Sequence, residues 1–296
     1  FRRMPVRLRG VVAAPVAAGP HPVVVVAHGA HGDGCRGEFA EWPCYATSQR
    51  NDLGLTSLAR SLAEAGFVVV VPDLNGAYTG GYGEPREKLR FRQIVDATLT
   101  ALDTAGAGGA NRFGVALAGR VDLGRVGVIG HSRGGMNVER WASGRATVRS
   151  ALLVAPFFDP TVAMLDIPTT LLLGSCDGDT RYGGAKYITA ARRAGARTAP
   201  AWKLVVSRAN HNAYNGTLVR LRIDDASPNP PATAADCRPA RRPTGAQQQA
   251  LLAGVVRDHF TATLLGGTPA AWQDLGTTRP GALFGLDVSI TRYPAG

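Results

Sequence analysis

Apolar runs alternate along the chain with stretches that have helical spacing. Residues 23–27 (VVVVA) and 67–71 (FVVVV) are apolar at every position, which is typical of strands buried on both faces of a parallel sheet. Between them, residues 56–65 carry leucines at helical intervals and are followed by Gly66, a residue that commonly ends helices. This rhythm predicts an α/β fold: a doubly wound, mostly parallel central sheet flanked by helices.

The same pattern continues to about residue 265. Further predicted strands span residues 6–14 (at an edge), 126–129, 148–155, 169–173 and 202–206, and further predicted helices span residues 88–104, 182–194 and 247–264. Residues 74–83, 106–123 and 223–245 are rich in turn formers and are predicted to be loops. Residues 156–168 leave no room for a large helical lid. We expect one α/β domain over residues 1–265. Residues 266–296 form an extension, interpreted as an edge strand or as the start of a truncated module.

A serine follows the predicted strand at 126–129. The stretch RVGVIGHSRGGM (residues 125–136) has a strand, a sharp turn and a helix in succession, with Ser132 at the turn. In the G-x-S-x-G arrangement, side chains at Gly130 and Gly134 would collide with the neighbouring elements, so glycine lets the hydroxyl stand exposed on a strained backbone. The alternative interpretation is a glycine-rich turn in which the serine has no catalytic role.

A nucleophilic serine needs a histidine to take its proton and a carboxylate to orient that histidine. Asp177 follows one predicted strand (GSCDGD, residues 174–179) and His211 follows the next (SRANHN, residues 207–212). The order Ser132, Asp177, His211 is the order found in α/β-hydrolases. Asp179 and Asp159 remain alternative acids. Of the other histidines, His131 is interpreted as packing beside the turn and His28 as a hydrogen-bonded loop residue.

On these motifs the chain resembles α/β-hydrolase serine esterases, and within them secreted bacterial lipases, cutinases and dienelactone-hydrolase-like enzymes. The resemblance implies an oxyanion hole made from the backbone N–H groups of Arg133 and Ala30. Without a lid, the substrate cleft is expected to be open. Its predicted lining is His28, His31, Tyr78, Tyr82, Phe157 and Phe158.

The net charge, the length of the apolar runs and the spacing of the cysteines limit the partners and ligands that we expect. The net charge of +11 comes almost entirely from arginines that are spread without aromatic interleaving, which argues against a nucleic-acid partner. No apolar run approaches the ~20 residues of a membrane helix, and no signal peptide is visible. The chain opens at Phe1, as in a trimmed product. The cysteines show no zinc-binding spacing, so no metal is expected.

Four cysteines suit disulfides in an oxidising compartment, with free buried thiols as the alternative. We predict the pairs Cys35–Cys44 and Cys176–Cys237, the second of which would join the loops that carry Asp177 and His211.

The sequence therefore predicts a secreted or cell-envelope carboxylic ester hydrolase that needs no cofactor and works through an acyl-enzyme. Its partner is an ester substrate, small or polymeric, without membrane insertion. The same three residues would also serve acyl transfer, thioester or amide cleavage. A rival hypothesis is a catalytically silent binding protein with this fold.

Overall fold

Nine strands form one sheet in the part of the chain that the computed structural model describes, residues 5–32, 49–81, 84–195, 197–274 and 279–294. The strands are β1 (Gly10–Ala13), β2 (His21–Ala27), β3 (Val68–Pro72), β4 (Val121–His131), β5 (Val148–Val154), β6 (Thr169–Gly174), β7 (Ala201–Val206), β8 (Arg279–Leu283) and β9 (Leu286–Tyr293). Their order across the sheet is β1-β3-β2-β4-β5-β6-β7-β9-β8.

Six neighbouring strands, β3-β2-β4-β5-β6-β7, run parallel, and antiparallel pairs occur only at the two edges among the described strands. The predicted edge strand is β1, which pairs antiparallel with β3. Because parallel strands end at the same side of a sheet, the loops after β2, β4, β6 and β7 meet at one edge.

Helices cover both faces of the sheet. They are α1 (Thr56–Glu64), α2 (Asn75–Tyr78), α3 (Glu87–Gly106), α4 (Arg133–Ala142), α5 (Ala185–Arg193), α6 (Gly216–Arg220), α7 (Gly245–Leu264) and α8 (Ala271–Asp274), with short 3-10 helices at Asp52–Leu55, Asn212–Tyr214 and Pro239–Arg241. Along β2, Val23 and Val25 belong to the core that α3, α4 and α5 cover, whereas Val24 and Val26 belong to the core under α1 and α7. This two-sided burial explains the uninterrupted valines, and it confirms the doubly wound α/β fold.

The structure differs from the sequence prediction in several places. The short helices α2, α6 and α8 lie where loops or no element were expected, and β4 begins at Val121, inside the predicted loop at residues 106–123. Within residues 266–296, for which one edge strand was an expectation, the structure has a hairpin, since β8 and β9 join through Phe284 and Gly285, which both have positive φ. β7 is not at the edge of the sheet, because β9 pairs with it on the side away from β6. The division of the chain at residue 265 stays a prediction.

Residues 155–168, between β5 and β6, contain no helix, so no helical lid is inserted there. Among the described helices, none has the length and apolar character needed to cross a bilayer.

Candidate active site

Ser132 lies at the sharp turn between β4 and α4, with φ 56° and ψ −128°. Such a positive φ is uncommon for residues other than glycine or asparagine, and it stores backbone strain. A Cβ on Gly130 would lie 2.5 Å from the Cα of Gly135, and one on Gly134 would lie 2.6 Å from the carbonyl oxygens of Ala27 and His28. The two glycines therefore allow α4 to fold back against β2 and β4, and this close approach fixes the turn.

Asp177 and His211 form a buried pair at the ends of β6 and β7. The Nδ1 of His211 lies 3.0 Å from Oδ2 of Asp177, and neither side chain is exposed. The backbone N–H groups of Asp179 and Thr180 and the Thr180 hydroxyl also donate to Asp177. Burial alone would raise the pKa of Asp177, but the hydrogen bonds from His211 and Thr180 hold that pKa below its ordinary value. Asp177 thus remains ionised.

The other two candidate acids occupy different positions. Asp179 lies on the far side of the ring, with Oδ2 at 3.4 Å from Nε2 of His211. Asp159 pairs with Arg140 and accepts hydrogen bonds from Thr161, so its carboxylate stabilises the loop after β5. Asp177 is therefore the carboxylate that holds Nδ1.

The imidazole of His211 has an acidic environment. Burial would lower its pKa, but the hydrogen bond and charge of Asp177, together with the charges of Asp179 and Asp225, raise that pKa above its ordinary value. Burial raises the pKa of Asp225 to about 6. Nε2 of His211 makes no hydrogen bond with any described residue, although it lies in range of Asp179.

Two further histidines pack against His211. The ring centroid of His131 lies 4.7 Å from that of His211, and its Nε2 donates to the His211 carbonyl. The ring of His31 lies 5.2 Å from that of His131. Burial lowers the pKa of His131 to about 3 and lowers that of His31 well below its ordinary value. Both rings stay neutral, so they pack beside His211 without adding positive charge.

The loop after β2 lies directly against Ser132. A Cβ on Gly29 would come within 2.7 Å of the Ser132 Cβ and of Nε2 of His31, so only glycine permits this approach. Arg133 begins α4 immediately after the serine, and Ala30 packs partly buried beside the core. Arg133 is thus the chain neighbour of Ser132, and Ala30 directly follows Gly29, which lies against the serine.

Two of the residues expected to line the cleft are instead buried beneath it. Nε2 of His28 accepts from the backbone of Leu74, and its Nδ1 donates to the carbonyl of Gly29. Tyr78 is 1% exposed and donates its hydroxyl to the carbonyl of His28. Each polar group has a partner inside the protein, which explains the burial. These two side chains support the loop after β2 and do not form a wall of the cleft.

The remaining residues that were expected to line the cleft differ in burial. Phe157 and Phe158 are partly buried after β5, and His31 is 9% exposed. Tyr82 lies outside the described residues.

Several residues that hold the backbone around Asp177 and His211 were not predicted from the sequence. The Asn210 amide donates to Asp224 and Asp225, and Gln248 of α7 bonds both the N–H and the carbonyl of Asn210. The Asn229 amide donates to the carbonyl of Asp177. These partners come from distant parts of the chain, and no spacing in the sequence signals them. They fix the backbone on which Asp177 and His211 stand.

A disulfide joins Cys176 to Cys237, as predicted. It connects the residue before Asp177 to the loop that follows α6. The second predicted pair, Cys35–Cys44, lies outside the described residues.

Asp177, His211 and Asp225 are the one group in the described structure whose ligand atoms, all within 4.8 Å of one another, could hold a metal ion. Both oxygens of Asp177 are already engaged by four donors, from His211, Asp179 and Thr180. This arrangement suits an oriented histidine better than a metal.

Comparison with known proteins agrees with this geometry. A family model described as "PETase: PET hydrolase-like" matches residues 27–184, just over half of the chain. The chain belongs to the PET hydrolase-like family. The match contains Ser132 and Asp177 and ends before His211. The match confirms the resemblance to α/β-hydrolase serine esterases.

A curated relative is similar over part of its length. Lipase 1 of Moraxella sp. (strain TA144) is 27% identical over 161 residues, which cover 54% of this chain and 44% of the lipase. The chain thus aligns with less than half of that relative.

Proposed function

We propose that this protein is a serine hydrolase that cleaves carboxylic esters through an acyl-enzyme, with Ser132, His211 and Asp177 as its catalytic triad. The observation that carries the proposal is the buried Asp177–His211 pair at the same sheet edge as a serine in a strained strand-to-helix turn. Members of the chain's family and the related lipase support the reaction class.

In the proposed reaction, Nδ1–H of His211 donates to Asp177, which leaves Nε2 as the proton acceptor. The Ser132 oxygen attacks the ester carbon while Nε2 takes the hydroxyl proton. The tetrahedral adduct collapses, and the alcohol leaves with that proton. Water then attacks the acyl-enzyme by the same route, which releases the acid and restores the Ser132 hydroxyl.

Negative charge develops on the former carbonyl oxygen. The backbone N–H groups of Arg133 and Ala30 are the proposed donors to it, and the N-terminal end of α4 adds a favourable dipole. Loss of one such donor typically costs about 3 kcal/mol of transition-state stabilisation. The site needs no cofactor for this chemistry.

The substrate class follows from access. Because residues 155–168 contain no helix, we expect an open cleft that accepts bulky esters, and the family and relative point to PET and to lipid esters as the candidates. The Cys176–Cys237 disulfide supports an extracellular or cell-envelope location, since disulfides persist in oxidising compartments.

A fluorophosphonate probe and a panel of nitrophenyl esters of increasing acyl length test the proposal. We expect stoichiometric labelling of Ser132, and loss of hydrolysis in Ser132→Ala and His211→Ala with the fold retained. Triad members act as a unit, so each single loss should be nearly as severe as their combination. Ser143→Ala, at the exposed end of α4, and His21→Ala are matched controls.

The rival functions give different results. A folded protein that no probe labels would indicate a silent binding protein. Labelling of Ser132 together with preferred turnover of thioesters, amides or acyl acceptors would change the bond type and keep the triad.

A further inference from the structure

The residue after the nucleophile carries a charged side chain that turns into the protein. The Arg133 and Glu87 side chains are only 3% and 8% exposed. The Nε of Arg133 donates to Oε1 of Glu87 at 3.4 Å, and its Nη2 makes a shorter contact with Oε2. Glu87 is the first residue of α3, and Arg133 is the first residue of α4 and directly follows Ser132 in the chain. This ion pair therefore joins the starts of the two helices.

Further contacts extend the ion pair into a network. The amide of Asn137, one turn along α4, donates to Glu87 at 2.7 Å. Arg133 also donates to the carbonyl of Gly81 at 3.1 Å, and its guanidinium lies 5.5 Å from the ring centroid of Tyr78. The carboxylate is thus shared between two residues of α4.

Tyr78 connects this network to the second half of the oxyanion hole. Its hydroxyl donates to the carbonyl of His28 at 2.7 Å. His28 precedes Gly29 and Ala30, the loop that lies against Ser132. A continuous set of contacts therefore runs from Glu87 through Arg133 and Tyr78 to the loop that carries Ala30.

Stability alone does not explain such a pair. Taking two charges out of water costs several kcal/mol per ion, and well-packed apolar residues in the same place are often as stable or more so. What the ion pair supplies is direction, because a guanidinium held on one carboxylate has little rotational freedom. The backbone N–H of the same residue is one of the two proposed oxyanion donors.

We propose that Glu87 is a positioning residue for the oxyanion hole: through the buried Arg133 side chain it fixes the Arg133 N–H, and through Tyr78 it fixes the His28–Ala30 loop. This inference rests on the proposed ester hydrolase function. Glu87 itself does not touch the substrate. Its effect is on the alignment of two donors with an oxygen that is charged only in the transition state.

Glu87→Gln tests the inference because it keeps the shape of the side chain and removes its charge. We expect kcat to fall about tenfold to hundredfold, a part of the loss seen when a donor is removed outright, with KM within about twofold of wild type. The affinity for an arylboronic acid, whose tetrahedral serine adduct resembles the transition state, should fall by the same factor as kcat. Glu64→Gln, an exposed carboxylate on α1, is the matched control and should change neither quantity.

The parallel loss of kcat and boronate affinity is the result that a merely structural role would not give. Wild-type kcat in folded Glu87→Gln, or a lower kcat with unchanged boronate affinity, would overturn the inference. Absence of esterase activity in the wild-type protein would instead refute the proposed function, so the two failures are distinguishable.

Glu87→Gln leaves a buried cation without its partner and is therefore at risk of unfolding. The double variant Glu87→Leu/Arg133→Met replaces the pair with apolar side chains of similar size, which cores tolerate. We expect it to fold and to keep the deficits in kcat and boronate affinity. Wild-type values of both in this folded variant would show that the pair is dispensable and would overturn the proposal.

Discussion

At the scale of single residues, the environment of His211 determines how the protein should respond to pH. Asp177 holds Nδ1, Asp179 faces Nε2, and Asp225 is the third carboxylate that raises the pKa of the ring. His31 and His131 pack beside it as neutral rings, and Thr180 adds a hydroxyl near Nδ1 at 3.5 Å. A chain with a net charge of +11 thus encloses its proposed base in negative charge.

A histidine acts as a base only when it is neutral, so a raised histidine pKa shifts the onset of activity to higher pH. We predict that kcat/KM rises with pH through an apparent pKa above 6.5, the ordinary value for histidine. Asp225→Asn should move that rise to lower pH. Asp225, whose own pKa is about 6, is charged where His211 loses its proton, and the change removes one of the charges that favour the imidazolium.

The measurement is the pH profile of kcat/KM for a neutral nitrophenyl ester. Asp103→Asn, an exposed carboxylate on α3, is the control and should leave the profile in place. An unchanged or upward-shifted rise in Asp225→Asn would contradict the electrostatic account of His211.

At the scale of elements, the best predicted parts of the chain are those whose side chains are buried on both faces. β3 and β6 begin and end within about two residues of the sequence prediction, because every position along them is buried and so favours an apolar or β-branched side chain. The helices α2 and α6 have only four and five residues, which is too short for an amphipathic pattern to repeat.

The candidate site divides in the same way. The placement of Ser132, Asp177 and His211 at one edge of the sheet could be predicted because each follows a predicted strand, and parallel strands bring their ends together. Glu87 and Asp225 could not be predicted. Glu87 lies 46 positions from Arg133, and Asp225 is in a polar loop whose packing depends on Asn210. Their roles depend on tertiary contacts that leave no local pattern.

The helix α4, which follows Ser132, carries a buried acid with its own pH dependence. Glu139 is fully buried and accepts a hydrogen bond from the backbone of Leu165 through one oxygen, while Oε1 has no hydrogen-bond partner among the described residues. Burial raises its pKa from 4.5 to about 7. An acid with a raised pKa in the folded state ionises first in the unfolded state, so the folded protein loses stability as pH rises from 4.5 to about 7.

Glu139→Gln should remove that pH-dependent loss. We expect the variant to gain stability relative to wild type between pH 4.5 and about 7, by at most roughly 3 kcal/mol, with no pH-dependent gain below pH 4.5. Melting temperatures of both proteins at pH 4, 6 and 8 provide the test, with Glu64→Gln as the exposed control. A stability difference that is the same at all three pH values would show that Glu139 does not titrate in this range.

At the scale of the whole molecule, the proposed acid and base depend on a long excursion of the chain. After His211 the chain forms α6 and then the loop to α7, which returns to the site through Asp225 and Asn229. The Cys176–Cys237 disulfide fastens the far part of this loop to the residue before Asp177. One crosslink thus secures the two loops on which the proposed triad depends.

Removal of this crosslink should lower stability and, before global unfolding, activity. The two cysteines are separated by 61 residues, and a loop of this length corresponds to roughly 4 kcal/mol in the chain-entropy model. We expect the double variant Cys176→Ser/Cys237→Ser to lose a free energy of unfolding of that order. Its hydrolysis rate should decline at temperatures where the wild-type protein still works, because the contacts of Asn229 and Asp225 loosen first.

Urea unfolding and the temperature dependence of kcat, each measured on oxidised protein, provide the readouts. Cys35→Ser/Cys44→Ser is the matched control, since it removes the same number of cysteines. The predicted bridge between those two residues closes a shorter loop, which should contribute less than about 3 kcal/mol. An unfolding free energy of Cys176→Ser/Cys237→Ser equal to that of wild type would show that the loop is held by its hydrogen bonds alone. The prediction that the crosslink stabilises the protein would then be wrong.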